Sequence, residues 1–274
     1  MPFCNFYEAL GSRPLIAAHR GWREIYPENT LPAFEAAVGV CDFIELDIQL
    51  SRDGRWFVCH DPTLERTTDI ETRYPKRLRP FRLADYRADE LKRLDAGAWF
   101  LRHDPFGAIG RGLAKKEAIE KLLPIRLPTL EEVLDFALKS RMPLNIEIKD
   151  MPTRRCESVV GSFLDVLHED DLPSVLISSF NHRYLHLIHR KRPDLSLAAL
   201  VEGSHPPDIG EYLKRVGARA YHVDRALAET TPVASLEREG IVCGVYVIND
   251  PTEKARLVSA GFRSFFSDCP EVVR

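Results

Sequence analysis

Two histidines, an arginine and two alternating carboxylates lie in one stretch of short predicted strands. These residues are His19, Arg20, Glu45, Asp47 and His60. Carboxylate oxygens suit a hard divalent cation, and imidazoles can transfer protons near neutral pH. An arginine can hold a phosphate through two parallel hydrogen bonds. The set therefore predicts a site for a metal ion and a phosphate.

Glu45 and Asp47 alternate along one predicted strand, so their side chains share a face. Two carboxylates on one face of a buried sheet are costly unless positive charge compensates them, and a divalent cation would do so. The alternative is a pair at the rim that nearby arginines neutralise.

The run 145–149 repeats this alternation on a later strand and adds a third carboxylate. Asn145, Glu147 and Lys149 fall on one side of that strand. Glu147 is then a third metal ligand, and Lys149 is a second cation for the phosphate. The alternative is a simple ion pair between Glu147 and Lys149.

Short apolar strands alternate with helical patterns along the chain. The capping box Thr129-Leu130-Glu131-Glu132, for example, opens one of the predicted helices. Eight strands with helices between them favour an α/β fold of the (β/α)8 TIM-barrel type over a doubly wound sheet. His19 and Arg20 would then end the first strand, where barrel enzymes carry catalytic groups. The predicted strands are residues 15–19, 43–48, 144–148, 175–179, 197–201, 220–223, 242–248 and 264–266.

A further apolar run at 56–59 follows the second strand too closely for a parallel crossover, so it is predicted to form a β-hairpin with that strand. Asp53-Gly54 supplies the turn signal. If these two residues form the whole loop, Asp47 stands opposite His60, and the hairpin brings the second histidine to the carboxylates.

Residues 61–127 interrupt the alternation of strands and helices and are rich in arginine and proline. Helical patches are expected at 83–94 and 115–122. We interpret the segment as an insertion on the catalytic rim, where long loops commonly shape a pocket. The prediction for residues 1–274 is therefore one TIM-barrel domain with this insertion.

Composition limits the class of protein. The chain has 274 residues, of which 45% are hydrophobic, and its 41 acidic and 38 basic residues give a net charge of −3. No overall field draws such a chain to nucleic acid. Without a signal segment or an apolar run of about 20 residues, we expect a cytoplasmic protein with no transmembrane segment. Six scattered cysteines are expected to be reduced.

Three other patterns have a functional and a structural interpretation. His182 and His186 could bind zinc, but neighbouring basic residues favour a solvated helix face. A basic run at 73–82 could contact nucleic acid, yet the negative net charge favours a surface of the insertion. His222 and Asp224 either line the pocket or form a hydrogen-bonded pair.

The motifs together resemble the glycerophosphodiester phosphodiesterase family, and the similarity covers nearly the whole chain. Further matches lie at 96–100, 127–130, 145–149, 177–180 and 249–250, whereas Tyr246 stands where many members have tryptophan. The closing motif Ser267-Asp268-Cys269-Pro270 and the longer segment 101–126 also depart from the family pattern. The leading motifs are His19-Arg20-Gly21, Pro27-Glu28-Asn29-Thr30, Ile44-Glu45-Leu46-Asp47, Asp53-Gly54, His60-Asp61 and Leu64-Glu65-Arg66-Thr67-Thr68.

The resemblance implies an enzyme that hydrolyses glycerophosphodiesters to sn-glycerol 3-phosphate and an alcohol, with one Mg²⁺ or Ca²⁺ bound. It implies that His19 and His60 are the acid–base pair and that Arg20 and Lys149 hold the phosphate. Glu45, Asp47 and Glu147 would bind the metal. The alternatives are a phosphodiesterase of the lysophospholipase D type, which acts on acylated substrates, and a non-catalytic barrel that binds a phosphoester. The expected partner is a small-molecule substrate, and the oligomeric state is not predicted.

Overall fold

The computed structural model describes residues 6–77, 79–168 and 174–274, and its strands close into a parallel barrel. The strand order β1-β9-β8-β7-β6-β5-β4-β2 is closed by pairing of β1 with β2, while β3 is antiparallel to β2. The predicted (β/α)8 TIM barrel is confirmed. The strands are β1 (Leu15–His19), β2 (Phe43–Leu50), β3 (Trp56–Val58), β4 (Leu144–Ile148), β5 (Val175–Ser179), β6 (Ser196–Val201), β7 (Ala220–Asp224), β8 (Val242–Tyr246) and β9 (Ser264–Ser267).

Helices and short 3-10 turns follow the strands and pack around the barrel. The capping box at the start of α7 forms as predicted, with Thr129 Oγ1 accepting a hydrogen bond from the N–H of Glu132. The helices are α1 (Phe6–Leu10), α2 (Leu31–Ala37), α3 (Ile70–Arg73), α4 (Ala88–Leu91), α5 (Ala98–His103), α6 (Lys116–Glu120), α7 (Leu130–Ser140), α8 (Cys156–Leu164), α9 (His182–Lys191), α10 (Ile209–Val216), α11 (Val233–Arg238), α12 (Pro251–Ser259) and α13 (Pro270–Val273).

Side-chain alternation along β2 separates an apolar outer face from a polar inner face. Ile44, Leu46 and Ile48 join the main apolar core between the strands and the helices. Phe43 belongs to a separate apolar cluster with residues of α1, and the inward positions that follow it are Glu45 and Asp47. The inner face therefore changes from apolar to acidic toward the carboxyl end of the strand.

The amino-terminal helix α1 contributes two buried aromatic side chains to this second cluster. Phe6 lies edge-on to Phe43 at 5.3 Å, and the Tyr7 hydroxyl lies 2.7 Å from His222 Nε2. Burial lowers the pKa of His222 to about 3, so its ring is neutral. Asp224 instead accepts a hydrogen bond from the N–H of Ala226. His222 Nδ1 has no hydrogen-bond partner among the described residues, so the two residues do not form the predicted pair. Neither of them lines the cavity that contains His19 and His60, so both interpretations were wrong.

The β2–β3 hairpin forms, but its register differs from the prediction by one residue. Ile48 pairs with Val58, and the N–H of Cys59 donates to the carbonyl of Asp47. Asp47 therefore stands opposite Cys59, and the predicted pairing of Asp47 with His60 was wrong. The cause is a three-residue loop, closed by Ser51 and Arg55, with Gly54 at a φ of 80°.

The insertion at 61–127 carries short helical segments and contributes most residues of two further apolar clusters, the first of which also contains Phe57 and Cys59. The patch expected at 83–94 is a 3-10 turn at Leu83–Asp85 followed by α4, and the patch at 115–122 contains α6. Acidic partners accompany the basic run, where Arg73 pairs with Asp69 and Arg77 with Glu90. This pairing favours the interpretation of the run as a surface of the insertion.

Three further features bear on the sequence predictions. His182 bonds to Tyr212 Oη and to the carbonyl of Leu200, so neither ring nitrogen is left for zinc. Within the described ranges, no helix combines the length and apolar character needed to cross a bilayer. Five of the six cysteines are free thiols, and Cys4 lies outside the described residues.

Replacing Tyr7 with phenylalanine should destabilise the protein by about 1–3 kcal/mol, because the buried His222 and Ser264 lose a hydrogen-bond partner. Chemical denaturation measures this change in the free energy of unfolding. Tyr74→Phe is the matched control, since its hydroxyl bonds at a less buried position in the insertion. Equal stability of Tyr7→Phe and the unmodified protein would contradict the prediction.

Candidate active site

A cavity of about 500 Å³ brings together six of the seven predicted site residues. The seventh, Asp47, is 1% exposed, and its carboxylate lies within 4.8 Å of the other two predicted metal ligands. The residues sit on β1, β2 and β4 and in the segments that follow β1, β3 and β4, toward the carboxyl ends of the barrel strands. Those lining the cavity are His19, Arg20, Glu45, His60, Glu147 and Lys149.

Glu45, Asp47 and Glu147 form a compact group of buried carboxylates. One oxygen from each lies within 4.8 Å of the others, because Asp47 pairs in register with Glu147 across β2 and β4. Among the described residues, Asn145 Oδ1 is buried without a hydrogen-bond donor and lines the same cavity. Oxygen ligands in this arrangement fit a hard divalent cation.

The three carboxylates interact unequally with the positively charged side chains of Lys149 and Arg20. Lys149 Nζ lies 2.6 Å from Glu147 and 3.4 Å from Asp47, and Arg20 Nε lies 3.4 Å from Asp47. Burial raises the pKa of Asp47, but Arg20 and Lys149 outweigh it and hold that pKa below its usual range. Burial and the charge of Asp47 raise the pKa of Glu147 to about 7, and the same causes raise the pKa of Glu45. If all three carboxylates were ionised, the group would carry one more negative charge than Arg20 and Lys149 neutralise, and the raised pKa values of Glu45 and Glu147 reflect this imbalance.

His19 is oriented by a carboxylate from the far end of the chain. Its Nδ1 lies 2.7 Å from Asp268, and Asn249 Nδ2 donates to the second oxygen of Asp268 at 2.9 Å. Burial lowers the pKa of His19, while Asp268 opposes this effect. Since Nδ1 is occupied, Nε2 is the nitrogen that remains available to a ligand.

His60 has the same arrangement with its neighbour in sequence. Its Nδ1 lies 2.7 Å from Asp61, and Arg66 donates to both oxygens of Asp61, at 2.6 and 3.1 Å. Two imidazoles, each held through Nδ1 by a carboxylate, therefore border one cavity beside the buried carboxylates.

Asn29 is a site residue to which the sequence analysis gave no role. Its Nδ2 donates to Asp47 at 2.8 Å, and its N–H donates to the carbonyl of Arg20. Asn29 and Arg20 both have a φ of 57°, a left-handed conformation that asparagine tolerates well. Gly21 is also required, because a Cβ there would lie 2.9 Å from Ala33. In the sequence, the indication of a role for Asn29 was its place in a polar run just before the first buried residues of α2.

The roles of Asp268, Asp61, Arg23 and Arg66 also went unassigned. Three of these residues lie within the matched motifs or the closing segment, but their types alone do not identify their contacts. Arg23 lies outside those motifs, so the sequence gives no indication of its role.

Residues 19–272 match the model of the glycerophosphoryl diester phosphodiesterase family. A glycerophosphodiester phosphodiesterase of Bacillus altitudinis is 34% identical over 263 residues, covering 93% of this chain and 95% of that protein. Another, from Bacillus subtilis, is 28% identical over 269 residues, covering 95% and 85%. A phosphodiesterase structure from Oleispira antarctica, in complex with the product sn-glycerol-3-phosphate, superposes with a TM-score of 0.79 at 25% identity and covers 98% and 97% of the two chains.

A divalent cation should stabilise the protein against heat, because it offsets repulsion among the buried carboxylates. At a concentration 100 times the dissociation constant the gain is about 2.7 kcal/mol. Glu45→Gln should lose this response, yet after chelation it should be at least as stable as the unmodified protein, since an amide replaces a carboxyl whose charged form is disfavoured.

Thermal unfolding with and without calcium, magnesium or manganese measures the effect. Glu157→Gln, on the surface of α8, is the control and should keep the response. If none of the three cations raises the unfolding temperature, the carboxylate group is not a metal site.

Proposed function

The chain belongs to the glycerophosphoryl diester phosphodiesterase family, and we propose that it hydrolyses glycerophosphodiesters to sn-glycerol 3-phosphate and an alcohol with a bound divalent cation and two histidines. One observation carries this proposal. Two imidazoles with their Nδ1 atoms fixed by carboxylates border the same cavity as a compact group of three acidic side chains. Such a site can move two protons next to a neutralised phosphate.

The proposed phosphate-binding residues are Arg20 and Lys149. Both border the cavity and lie beside the carboxylates of Asp47 and Glu147. A guanidinium and an ammonium can donate hydrogen bonds to phosphate oxygens and stabilise the charge that develops on them. Glu45, Asp47 and Glu147 would hold Mg²⁺ or Ca²⁺, which when bound supplies further positive charge next to the phosphate.

His19 and His60 would divide the proton transfers. One imidazole takes a proton from the nucleophile, and the other, protonated, gives a proton to the oxygen of the departing alcohol. The same pair serves whether the nucleophile is water or a neighbouring hydroxyl of the glycerol. Asp268 and Asp61 keep each ring in the tautomer that presents Nε2.

The substrate proposed is the deacylated diester. The structure from Oleispira antarctica holds sn-glycerol-3-phosphate as product, which supports the same product class here. The insertion does expose Leu113 and Leu122, a feature that would favour an acylated substrate. Neither leucine lines the cavity, so the deacylated substrate is better supported.

His19→Ala and His60→Ala should each lower turnover by about 10²- to 10⁴-fold, because each removes a general acid or base. Release of sn-glycerol 3-phosphate from glycerophosphocholine measures the rate. His103→Ala is the matched control, since this histidine is exposed at the end of α5. Near-normal turnover in either cavity variant would refute the assignment of that histidine.

Removal of the cation should abolish the same activity, and calcium, magnesium or manganese, restored separately, should recover it. Glu45→Ala should remain inactive with every ion, because one of three clustered ligands is gone. Activity that survives both chelation and Glu45→Ala would exclude the proposed role of the cation.

A further inference from the structure

Glu28 is a buried carboxylate at the centre of three arginines. It is 5% exposed, and it accepts hydrogen bonds from Arg20 at 2.9 Å, from Arg23 at 2.7 Å and from Arg66 at 2.7 and 3.0 Å. Burial raises the pKa of Glu28, but hydrogen bonds from Arg66 and the charges of Arg23 and Arg20 outweigh it and lower the pKa to about 2. The carboxylate is therefore charged and fully engaged at neutral pH.

Two of these arginines extend from Glu28 to the two histidine–carboxylate pairs. Arg66 also donates to Asp61, which bonds to His60. Arg23 Nη1 lies 3.4 Å from Asp268, the partner of His19.

The chain thus contains two branches from one carboxylate, each of the form glutamate, arginine, aspartate, histidine. The third arginine, Arg20, joins Glu28 to the carboxylate of Asp47.

The insertion covers both branches with aromatic rings. The guanidinium of Arg23 lies over Phe106 at 5.2 Å, and that of Arg66 lies over Trp99 at 5.9 Å. Such contacts restrict the planes of the two guanidiniums. Each of these two arginines therefore contacts Glu28, an aspartate and an aromatic ring of the insertion.

We infer that Glu28 is a positioning residue that fixes both histidine–carboxylate pairs through Arg23 and Arg66. This inference rests on the proposed acid–base roles of His19 and His60. The branch that serves the general acid affects the step in which the alcohol departs. In that step the P–O bond breaks, its electron pair stays on the alcohol oxygen, and the imidazolium transfers a proton to that oxygen. If Glu28 and its arginines only stabilised the fold, their replacement would not affect the departure of the alcohol more than the other steps.

Arg23→Met and Arg66→Met test the branches separately. Each leaves Glu28 with two of its three arginines and so avoids an unpaired buried carboxylate. Arg111→Met is the matched control, since it removes an arginine–glutamate pair with Glu24 at the border of the same insertion without touching Glu28. Cation-dependent thermal stabilisation of each variant verifies that the carboxylate site is intact.

Two substrates separate the roles of the branches. Glycerophosphocholine releases an alkoxide that needs a proton, whereas the p-nitrophenyl ester of sn-glycerol 3-phosphate releases a phenolate that departs without one. On glycerophosphocholine both branch variants should lose about tenfold to a hundredfold in kcat, the usual cost of removing a partner behind a functional imidazole, with little change in KM. On the p-nitrophenyl ester, the variant of the branch that serves the general acid should have nearly the kcat of the unmodified protein. The other variant should keep the reduced kcat that it shows on glycerophosphocholine.

Three outcomes would overturn the inference: unchanged kcat in both variants, an equal loss on both substrates for both variants, or a loss of the same size in Arg111→Met. Failure of the proposed function is a different result, because the unmodified protein would then release no sn-glycerol 3-phosphate, or His19→Ala and His60→Ala would retain its activity. Glu28→Gln extends the test if it folds, and it should impair the same steps as the two branch variants together.

Discussion

Repulsion among three buried carboxylates is the constraint on which the rest of the site depends. Glu45, Asp47 and Glu147 lie within 4.8 Å of one another, where the cost of desolvation adds to the repulsion of like charges. Arg20 and Lys149 offset part of that charge, which leaves the group suited to a divalent cation. The affinity for positive charge is therefore a property of the strand register and follows directly from the pairing of β2 with β4.

A second group of charged side chains lies beside these carboxylates, and in this group the positive charges outnumber the negative charge. Three guanidiniums surround the single carboxylate of Glu28, and two of them extend to the aspartates behind the proposed acid–base histidines. Buried charges of this kind are stable only when their partners have good geometry. The orientation of both imidazoles is consequently tied to the same set of ion pairs that fixes Arg20, the proposed phosphate ligand.

Sequence periodicity was sufficient to predict the barrel and the shared faces of Glu45, Asp47 and Glu147, because side-chain alternation is local and independent of the loops. Hairpin register depends on loop length, and Asp53-Gly54 identified a turn but not its three-residue form. The partner of His19 could not be predicted, since it lies 249 positions away and only the closed barrel brings it near. The Glu28 cluster escaped for a similar reason, because nothing in the sequence shows that the arginines at 20, 23 and 66 share one carboxylate, and Arg20 was assigned to the phosphate alone.

Closure of the barrel between its first and last strands has a consequence for synthesis on the ribosome. The carboxylates, His60 and Lys149 are all made by residue 149, whereas Asp268 comes 119 positions later and is needed for the His19 pair. A nascent chain therefore contains the three clustered carboxylates long before Asp268 is available to His19. Until β9 is inserted beside β1, the growing polypeptide has a complete set of candidate cation ligands but only one finished histidine pair.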